Sequence, residues 1–383
     1  MLRTGAFRSE LFFIMSSNFR VLVLTVGYGQ GHRSAAAAIV EECKSRGCEV
    51  MLSDPCEADT SGLYALTRAY YRLCVRKAPW LWAMAYSQTN TADWSRKVNW
   101  PGIRVATNRL ADILVTWHPD VVICTYPLFA YMLDYLRQQG VHSAPYAVVV
   151  TDALEISKPW VKSSCDVLFV PDEFSAEVLL ERYGLDERKV VAAGFPVRKA
   201  FFHLPEKVSP TKETLCILYG VYLSGREAIQ QILCLKAQFP QAELVVLAGD
   251  HYAQLKNRLS ELIECGEVTL LRSSDNMPDL FARAHIYVGK AGAATVFEAY
   301  AAGVPVLVNY ALPGQEQGNL ELLLKDNAGC RVGASRELCC MVERMLSHDA
   351  AMWHCMRNNM LSRPYRVRGA AHIVDFISDY FRS

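Results

Sequence analysis

From Arg20 onward the chain alternates short β-branched runs with amphipathic segments, and after a proline-bearing interval near the middle the same alternation starts again. Strands joined through helices pair in parallel, and such sheets carry helices on both faces. Strands are expected at Val21–Val26, Glu49–Leu52, Val121–Cys124, Ala147–Thr151, Val167–Val170 and Val190–Ala193. A second set is expected at Leu215–Tyr219, Glu243–Leu247, Val268–Leu271, Ile286–Val288 and Val304–Val308. The fold class is α/β, with two Rossmann-like, doubly wound parallel-sheet domains facing across a cleft; two unrelated consecutive domains are the alternative on pattern alone. The expected division is an extension over 1–19, a first domain over 20–199, a linker over 200–213, a second domain over 214–362 and a helical tail over 363–383. The stretch from about Glu337 to Phe381 is helical in pattern with Pro364 separating its two segments, and the C-terminal helix can pack back on the first domain.

At 383 residues the chain exceeds the roughly 250–300 that one core usually serves, in keeping with two units. Forty basic against thirty-nine acidic residues give a net charge of +1, so no global field draws the molecule onto nucleic acid or lipid, and any attraction is local. Thirteen cysteines are scattered without a CxxC pair or His/Cys ligand spacing. They read as buried thiols of a reducing, cytoplasmic compartment, with no structural zinc. Cys339-Cys340 reads either as packing or as a redox-active pair. The best apolar run, Ala144 to Val150, falls far short of the roughly 18 residues of a spanning helix. The run Leu11 to Met15 is shorter than a signal-peptide core, and Met15 is a second candidate start.

The first strand runs into Gly27-Tyr28-Gly29-Gln30-Gly31-His32-Arg33, ahead of a helix-forming stretch from Ser34 to Glu42. Glycines at alternate positions let backbone N–H groups and a helix N-terminus approach a ligand. A dinucleotide fingerprint needs glycine where His32 stands, although Asp54 lies near the ribose-binding place, so a nicotinamide enzyme competes here. His32 reads as a general base beside the cleft or as a helix-terminal histidine bonded to its neighbours. The second constellation is Gly289-Lys290-Ala291-Gly292-Ala293-Ala294-Thr295-Val296-Phe297-Glu298, followed by Pro313-Gly314-Gln315-Glu316-Gln317-Gly318-Asn319. Its glycine-containing loop opens a helix able to hold a diphosphate, Glu298 can accept from a ribose diol, and Gln315, Glu316 and Asn319 suit a hexose's hydroxyls.

Gly29-Gln-Gly-His-Arg33, Val150-Thr-Asp152, Ala193-Gly-Phe-Pro-Val-Arg198, Lys290-Ala-Gly292 with Glu298, and Pro313-to-Asn319 occur in one order. Together they resemble the monogalactosyldiacylglycerol synthase and processive diacylglycerol glucosyltransferase family, which is similar in turn to the N-acetylglucosaminyltransferase that forms lipid II. The resemblance spans about Arg20 to Phe376. It implies a GT-B fold and an inverting transfer of glucose or galactose from a UDP-sugar to the hydroxyl of a membrane lipid, with diacylglycerol first among acceptors. It further implies His32 as base, with Asp152 orienting His32 or the acceptor hydroxyl or serving as the rival base. Gly220, Lys290, Gly292, Ala293, Thr295, Glu298, Gln315, Glu316 and Asn319 fall on the donor side, and Gly29, Gly31, Tyr126 and Pro127 on the acceptor side. The implied scheme needs no metal or other cofactor.

The chain departs from the family pattern in two places. Gly220-Val-Tyr-Leu-Ser-Gly-Arg226 stands where a glycine-rich run is usual, and Tyr126-Pro127 where His-Pro is frequent. Arg68 to Arg109 holds eight basic residues against Asp93 alone, with Trp80, Trp82, Trp94 and Trp100. Basic residues with tryptophans favour a lipid headgroup interface, so Arg72, Arg76, Lys77, Trp80 and Trp82 are expected to give peripheral attachment to an anionic membrane. The opposing reading packs those rings inward. No nucleic-acid module is present. A UDP-sugar 2-epimerase-like isomerase and a non-catalytic UDP-sugar sensor remain as alternative functions.

Overall fold

The computed structural model describes residues 19–27, 30–58, 94–222, 224–314, 316–363 and 368–381, and between these positions 62, 64–66, 69, 70, 73, 84, 87 and 88, with the side chains of Gln30 and Ala58 excepted. The expected site residues Gly29, Arg72, Arg76, Lys77, Trp80, Trp82 and Gln315 lie outside the described residues, as do Met15 and Pro364.

Two six-stranded parallel sheets form the frame. The first contains β1 (Arg20–Leu24), β2 (Glu49–Ser53), β3 (Val121–Cys124), β4 (Tyr146–Val149), β5 (Val167–Val170) and β6 (Val190–Ala192), in the order β2-β1-β3-β4-β5-β6. The second contains β7 (Cys216–Gly220), β8 (Glu243–Leu247), β9 (Val268–Leu271), β10 (Ile286–Lys290), β11 (Val306–Tyr310) and β12 (Gly329–Arg331), in the order β12-β11-β10-β7-β8-β9. β3, β4 and β5 are buried along their whole length, which is why they read as unbroken apolar runs rather than alternating ones. On the first sheet pack α1 (Gln30–Ser45), α2 (Trp94–Lys97), α3 (Pro101–Trp117), α4 (Pro127–Gln138) and α5 (Glu173–Tyr183). On the second pack α6 (Gly225–Gln238), α7 (Tyr252–Arg258), α8 (Ser260–Glu264), α9 (Met277–Arg283), α10 (Ala293–Ala302), α11 (Gln317–Lys325) and α12 (Ser335–Leu361), the last broken at 347–350.

Several strand limits differ from expectation by a residue or two, and two shifted boundaries and one added strand bear on the frame. Pro305 has no N–H to donate, so β11 opens at Val306 although the Pro305 carbonyl still accepts from Tyr287 N at 3.0 Å. β12 is unexpected from sequence, being three residues long; a Cβ at Gly329 would collide with the Val306 carbonyl, so glycine permits the pairing. α1 opens at Gln30 rather than Ser34, which places Gly31 and His32 in its first turn.

The final helix, α13 (Gly369–Tyr380), lies on the first sheet. Its Ile373, Val374 and Ile377 join Val21, Val23, Ile123 and Val149 in one core, Phe376 meets the Phe169 ring edge-on, and Asp375 pairs with Arg46 of α1. The two halves are also joined directly. Phe195 stacks on Phe297 of α10 with ring centroids 4.8 Å apart, and Ala35, Ala153 and Val197 enter the core of the second half. The start of α11 abuts the loop after β4: Asn319 accepts from Ala153 N at 3.3 Å and donates to Ala291 O at 3.0 Å. A Cβ on Gly318 would overlap the Ala153 carbonyl oxygen.

Strand order reverses between β1 and β3 in the first sheet and between β7 and β10 in the second, and ligands of open parallel sheets bind at such switch points. The glycines at the two halves' contact and at the first switch point should respond differently to a methyl group. Gly318→Ala is expected to lower stability by about 1–3 kcal/mol through overpacking. Gly31→Ala, where a Cβ meets nothing within 4 Å among the described residues, should stay within about 1 kcal/mol of the parent, on the stabilising side. Thermal melts of the two variants read this contrast directly.

Candidate active site

At the first switch point, the α1 start carries His32 between the ends of β3 and β4. Its Nδ1 lies 2.8 Å from the Thr125 carbonyl oxygen and 3.0 Å from Thr151 Oγ1. A carbonyl only accepts, so Nδ1 carries the proton, and Nε2 is left as the basic nitrogen. The Tyr126 ring meets the imidazole edge-on at 5.2 Å, and the Trp160 ring lies 6.1 Å away. Enclosure among these groups strips water from the ring and depresses its pKa to about 4, with the Thr125 carbonyl opposing. Histidine at this place is therefore neutral at physiological pH.

Asp152, one residue beyond Thr151, accepts from Trp160 Nε1 at 2.9 Å. Burial raises its carboxyl to about 7, against the stabilising indole bond and with the Glu316 charge adding to the rise. The groups that orient His32 are the Thr125 carbonyl and the Thr151 hydroxyl, and the described bond of Asp152 goes to Trp160. Asp54, the residue that kept a nicotinamide site open, accepts from Gly27 N at 3.0 Å, Tyr64 Oη at 2.8 Å and Cys56 N at 3.0 Å. Its carboxylate braces the glycine turn instead of facing outward to a ribose.

Across the cleft, Gly292 is the N-cap of α10 and among the described residues no side chain caps that helix, leaving first-turn amides of Ala293 and its neighbours for an anion. Lys290 Nζ sits beside them, bonded to Glu316 Oε1 at 2.5 Å, while Glu316 Oε2 accepts from Leu312 N at 3.0 Å. Glu298 is buried and accepts from Ser34 Oγ of α1 at 3.1 Å. Burial raises its pKa to about 7, opposed by the Ser34 bond and by the nearby Arg198.

The structure thus gathers His32, Asp152, Lys290, Gly292, Ala293, Glu298 and Glu316 around one cleft. Asn319 spans the two halves, as described above. Thr295 hydrogen-bonds Tyr287, whose hydroxyl fills the space where a Cβ on Gly220 or Gly289 would stand. Pro127 is buried as the first residue of α4, and Tyr126 lines the His32 side. Among the described residues Gly31 has no packing neighbour that demands glycine. Sequence reasoning missed Ser34, Thr125, Trp160 and Tyr287. Of these only Trp160, an indole eight residues after Asp152, carried a residue-type signal. Trp94 is buried against Tyr126 and Tyr131 with Lys97 over its ring, whereas Trp100 is 58% exposed, so the basic segment divides between inward and outward rings. Cys339 is buried against Cys234 while Cys340 is exposed, so the adjacent thiols occupy different environments. Among the described residues no three His, Cys, Asp or Glu side chains group as a metal-ligand set.

Comparison with known proteins places these features in a lineage. The family model of monogalactosyldiacylglycerol (MGDG) synthase matches residues 32–197, and that of the glycosyltransferase family 28 C-terminal domain matches residues 224–339. The chain is similar to a processive diacylglycerol beta-glucosyltransferase of Bacillus subtilis, 27% identical over 360 residues, covering 90% of this chain and 91% of that one. To the protein of that name from Bacillus mycoides it is 28% identical, covering 95% and 94%. Among solved structures it resembles Acinetobacter baumannii MurG, with TM-score 0.60, 15% identity and 94% and 99% coverage. A Neisseria meningitidis UDP-GlcNAc 2-epimerase gives TM-score 0.59 at 15% identity, with 95% and 100% coverage. At such identities the last two likenesses establish the fold alone, a GT-B arrangement shared by transferases and epimerases. The sequence relatives and the matched families separate these: the chain matches the monogalactosyldiacylglycerol synthase model in its first half and the glycosyltransferase family 28 C-terminal model in its second, and over nine-tenths of its length it resembles processive diacylglycerol glucosyltransferases on a GT-B fold.

Proposed function

We propose that the chain is an inverting glycosyltransferase that moves glucose or galactose from a UDP-sugar to the hydroxyl of a membrane lipid, with diacylglycerol as the acceptor. The observation that carries this reading is the opposition, across one cleft, of a neutral histidine with its Nδ1 proton fixed and an uncapped helix start flanked by Lys290. His32 Nε2 takes the acceptor's proton as its oxygen attacks the anomeric carbon from the face opposite UDP, and the Thr125 carbonyl and Thr151 hydroxyl hold the resulting imidazolium. Negative charge then grows on the departing diphosphate, where Lys290 and the α10 amides meet it. In this scheme Glu298 exchanges Ser34 for the ribose diol and Glu316 turns to the hexose. Neither a metal nor another cofactor has a role in it.

The lipid acceptor calls for contact with a bilayer. No helix of the described residues is long and apolar enough to cross one. Leu66, Tyr70, Leu73, Met84 and Trp100, all within or beside the basic segment, are exposed, which supports peripheral attachment on that side. The lipid is a glycolipid product delivered at the membrane surface; the isomerase and sensor readings give no role to such a surface.

The direct test is incubation of purified protein with diacylglycerol vesicles and either UDP-glucose or UDP-galactose, followed by mass spectrometry of the lipids. A mass gain of one hexose is expected, and release of UDP without glycolipid would sink the proposal. In the same assay His32→Ala should lower kcat by about 10²–10⁴-fold. The pH profile tells the two candidate bases apart. With His32 as base, kcat at saturating donor stays level as pH falls and drops only toward about 4, because the neutral imidazole is kept until then. With Asp152 as base, the drop comes at about 7, where that carboxyl takes up its proton.

Glu298→Ala should weaken UDP binding roughly 10- to 100-fold, the scale of a lost charge-assisted contact. Because the carboxyl ionises near 7, UDP affinity of the parent should rise between pH 6 and 8, and that slope should vanish in the variant. Calorimetry with UDP measures both.

Replacing Arg72, Arg76 and Lys77 with Gln should cost about 3 kcal/mol of membrane affinity, at about 1 kcal/mol per basic residue. Flotation with anionic vesicles should lose the variant, and equal binding of the parent to neutral and anionic vesicles would overturn the electrostatic part.

A further inference from the structure

The loop after β7 is where this chain departs from the glycine-rich pattern of the family it resembles, and it opens at the second switch point, next to the end of β10. Tyr222 of that loop is half-buried, with its ring under the Lys290 ammonium, 4.8 Å from nitrogen to centroid. The Tyr310 ring, at the end of β11, lies 4.9 Å away at a tilt of 33°, so the two rings make one aromatic wall. Lys290 is in turn bonded to Glu316, and a Cβ at Gly292 would lie 3.1 Å from Lys290 Nζ and 3.5 Å from Glu316 Oε1. The wall therefore stands against the helix start and the carboxylate already placed on the donor side. The hydroxyl of Tyr310 is buried with no hydrogen-bond partner among the described residues, a condition that buried polar atoms rarely keep once a ligand is in place. An apolar ring face bordered by an ammonium, a carboxylate and an unsatisfied hydroxyl matches the chemistry of a hexose, whose C–H face is apolar and whose rim is polar.

We infer that Tyr222 is a specificity-determining residue of the donor site, an aromatic platform for the hexose of a nucleoside-diphosphate sugar, standing where a glycine-rich loop would instead offer backbone. The inference rests on the donor site being the one proposed above. It also accounts for the bulk at this position. A large ring offers the sugar's C–H face a surface that a glycine-rich loop lacks, while Lys290 is held independently by Glu316.

Calorimetry without acceptor, using UDP and UDP-glucose or UDP-galactose in turn, separates this from the transfer reaction. Tyr222→Ala should weaken the UDP-hexose by about tenfold while leaving UDP within about twofold, and Tyr222→Phe should keep both affinities. Tyr222→Leu, which keeps bulk without a π face, should follow the Ala variant and serves in its place if Ala proves unfolded by circular dichroism. Parallel weakening of UDP and UDP-hexose would put the ring on the nucleotide, and no change in either would leave it without a donor role; both overturn the platform. A parent that binds UDP-hexose with the expected variant pattern yet transfers nothing refutes the proposed activity while supporting the platform. A parent that binds neither nucleotide refutes both.

Discussion

The geometry of the cleft depends on one backbone contact, the seating of the α11 start on the loop that follows β4. Asn319 ties Ala153 of the first half to Ala291 of the second through a single side chain, and Gly318 lets the two backbones approach without a Cβ between them. Asp152 precedes this joint directly and Glu316 precedes Gly318 by two residues, so the carboxylates of the two halves are brought face to face by the same contact. Glu316 contributes to the raised pKa of Asp152 from across the joint. A polar bridge is suited to this place because its hydrogen bonds have defined directions, whereas apolar packing tolerates sliding.

Burial sets the protonation of the cleft and does so in opposite senses for its acids and its base. Desolvation disfavours charge, so it lowers the histidine and raises the carboxyls. Near pH 7 the cleft accordingly carries less negative charge than its carboxyls would give if fully ionised, with His32 uncharged and Asp152 and Glu298 each near the midpoint of titration. An anionic donor entering such a site meets less repulsion than a fully ionised Asp152 and Glu298 would present, and Lys290, bonded to Glu316, lies beside the α10 start.

Much of the frame was legible because parallel strands buried on both faces leave unmistakable apolar runs, as at Val121–Cys124 and Val167–Val170; Glu243–Leu247 and the edge strand Val268–Leu271 also have the expected limits. β12 was not legible, since Gly329-Cys-Arg331 has neither length nor pattern and is a strand only because β11 lies beside it. In the site, His32, Lys290, Gly292 and Glu298 announced themselves through local motifs. Ser34 and Thr125 did not, because their roles come from pairings 264 and 93 residues apart in sequence, one with a carboxylate of the other half and one through a backbone carbonyl that no side-chain type encodes. Trp94 is a case in which composition misleads, since a tryptophan in a basic stretch is compatible with a lipid surface and with a cation-capped core, and packing chose the latter.

The position of α13 bears on how the chain is assembled. Ile373, Val374 and Ile377 are fully buried in the core built on Val21, Val23 and Ile123, so the first half lacks part of its hydrophobic interior until the end of the chain has been made. During synthesis the second half, whose sheet and helices are contiguous from Cys216 to Leu361, can complete its own core before the first can. The apolar surface of the first sheet that awaits α13 stays uncovered in the meantime, and closing it requires a contact spanning some of the longest sequence separations in the molecule, the kind that forms slowly. The core that can close first thus belongs to the half that is translated second.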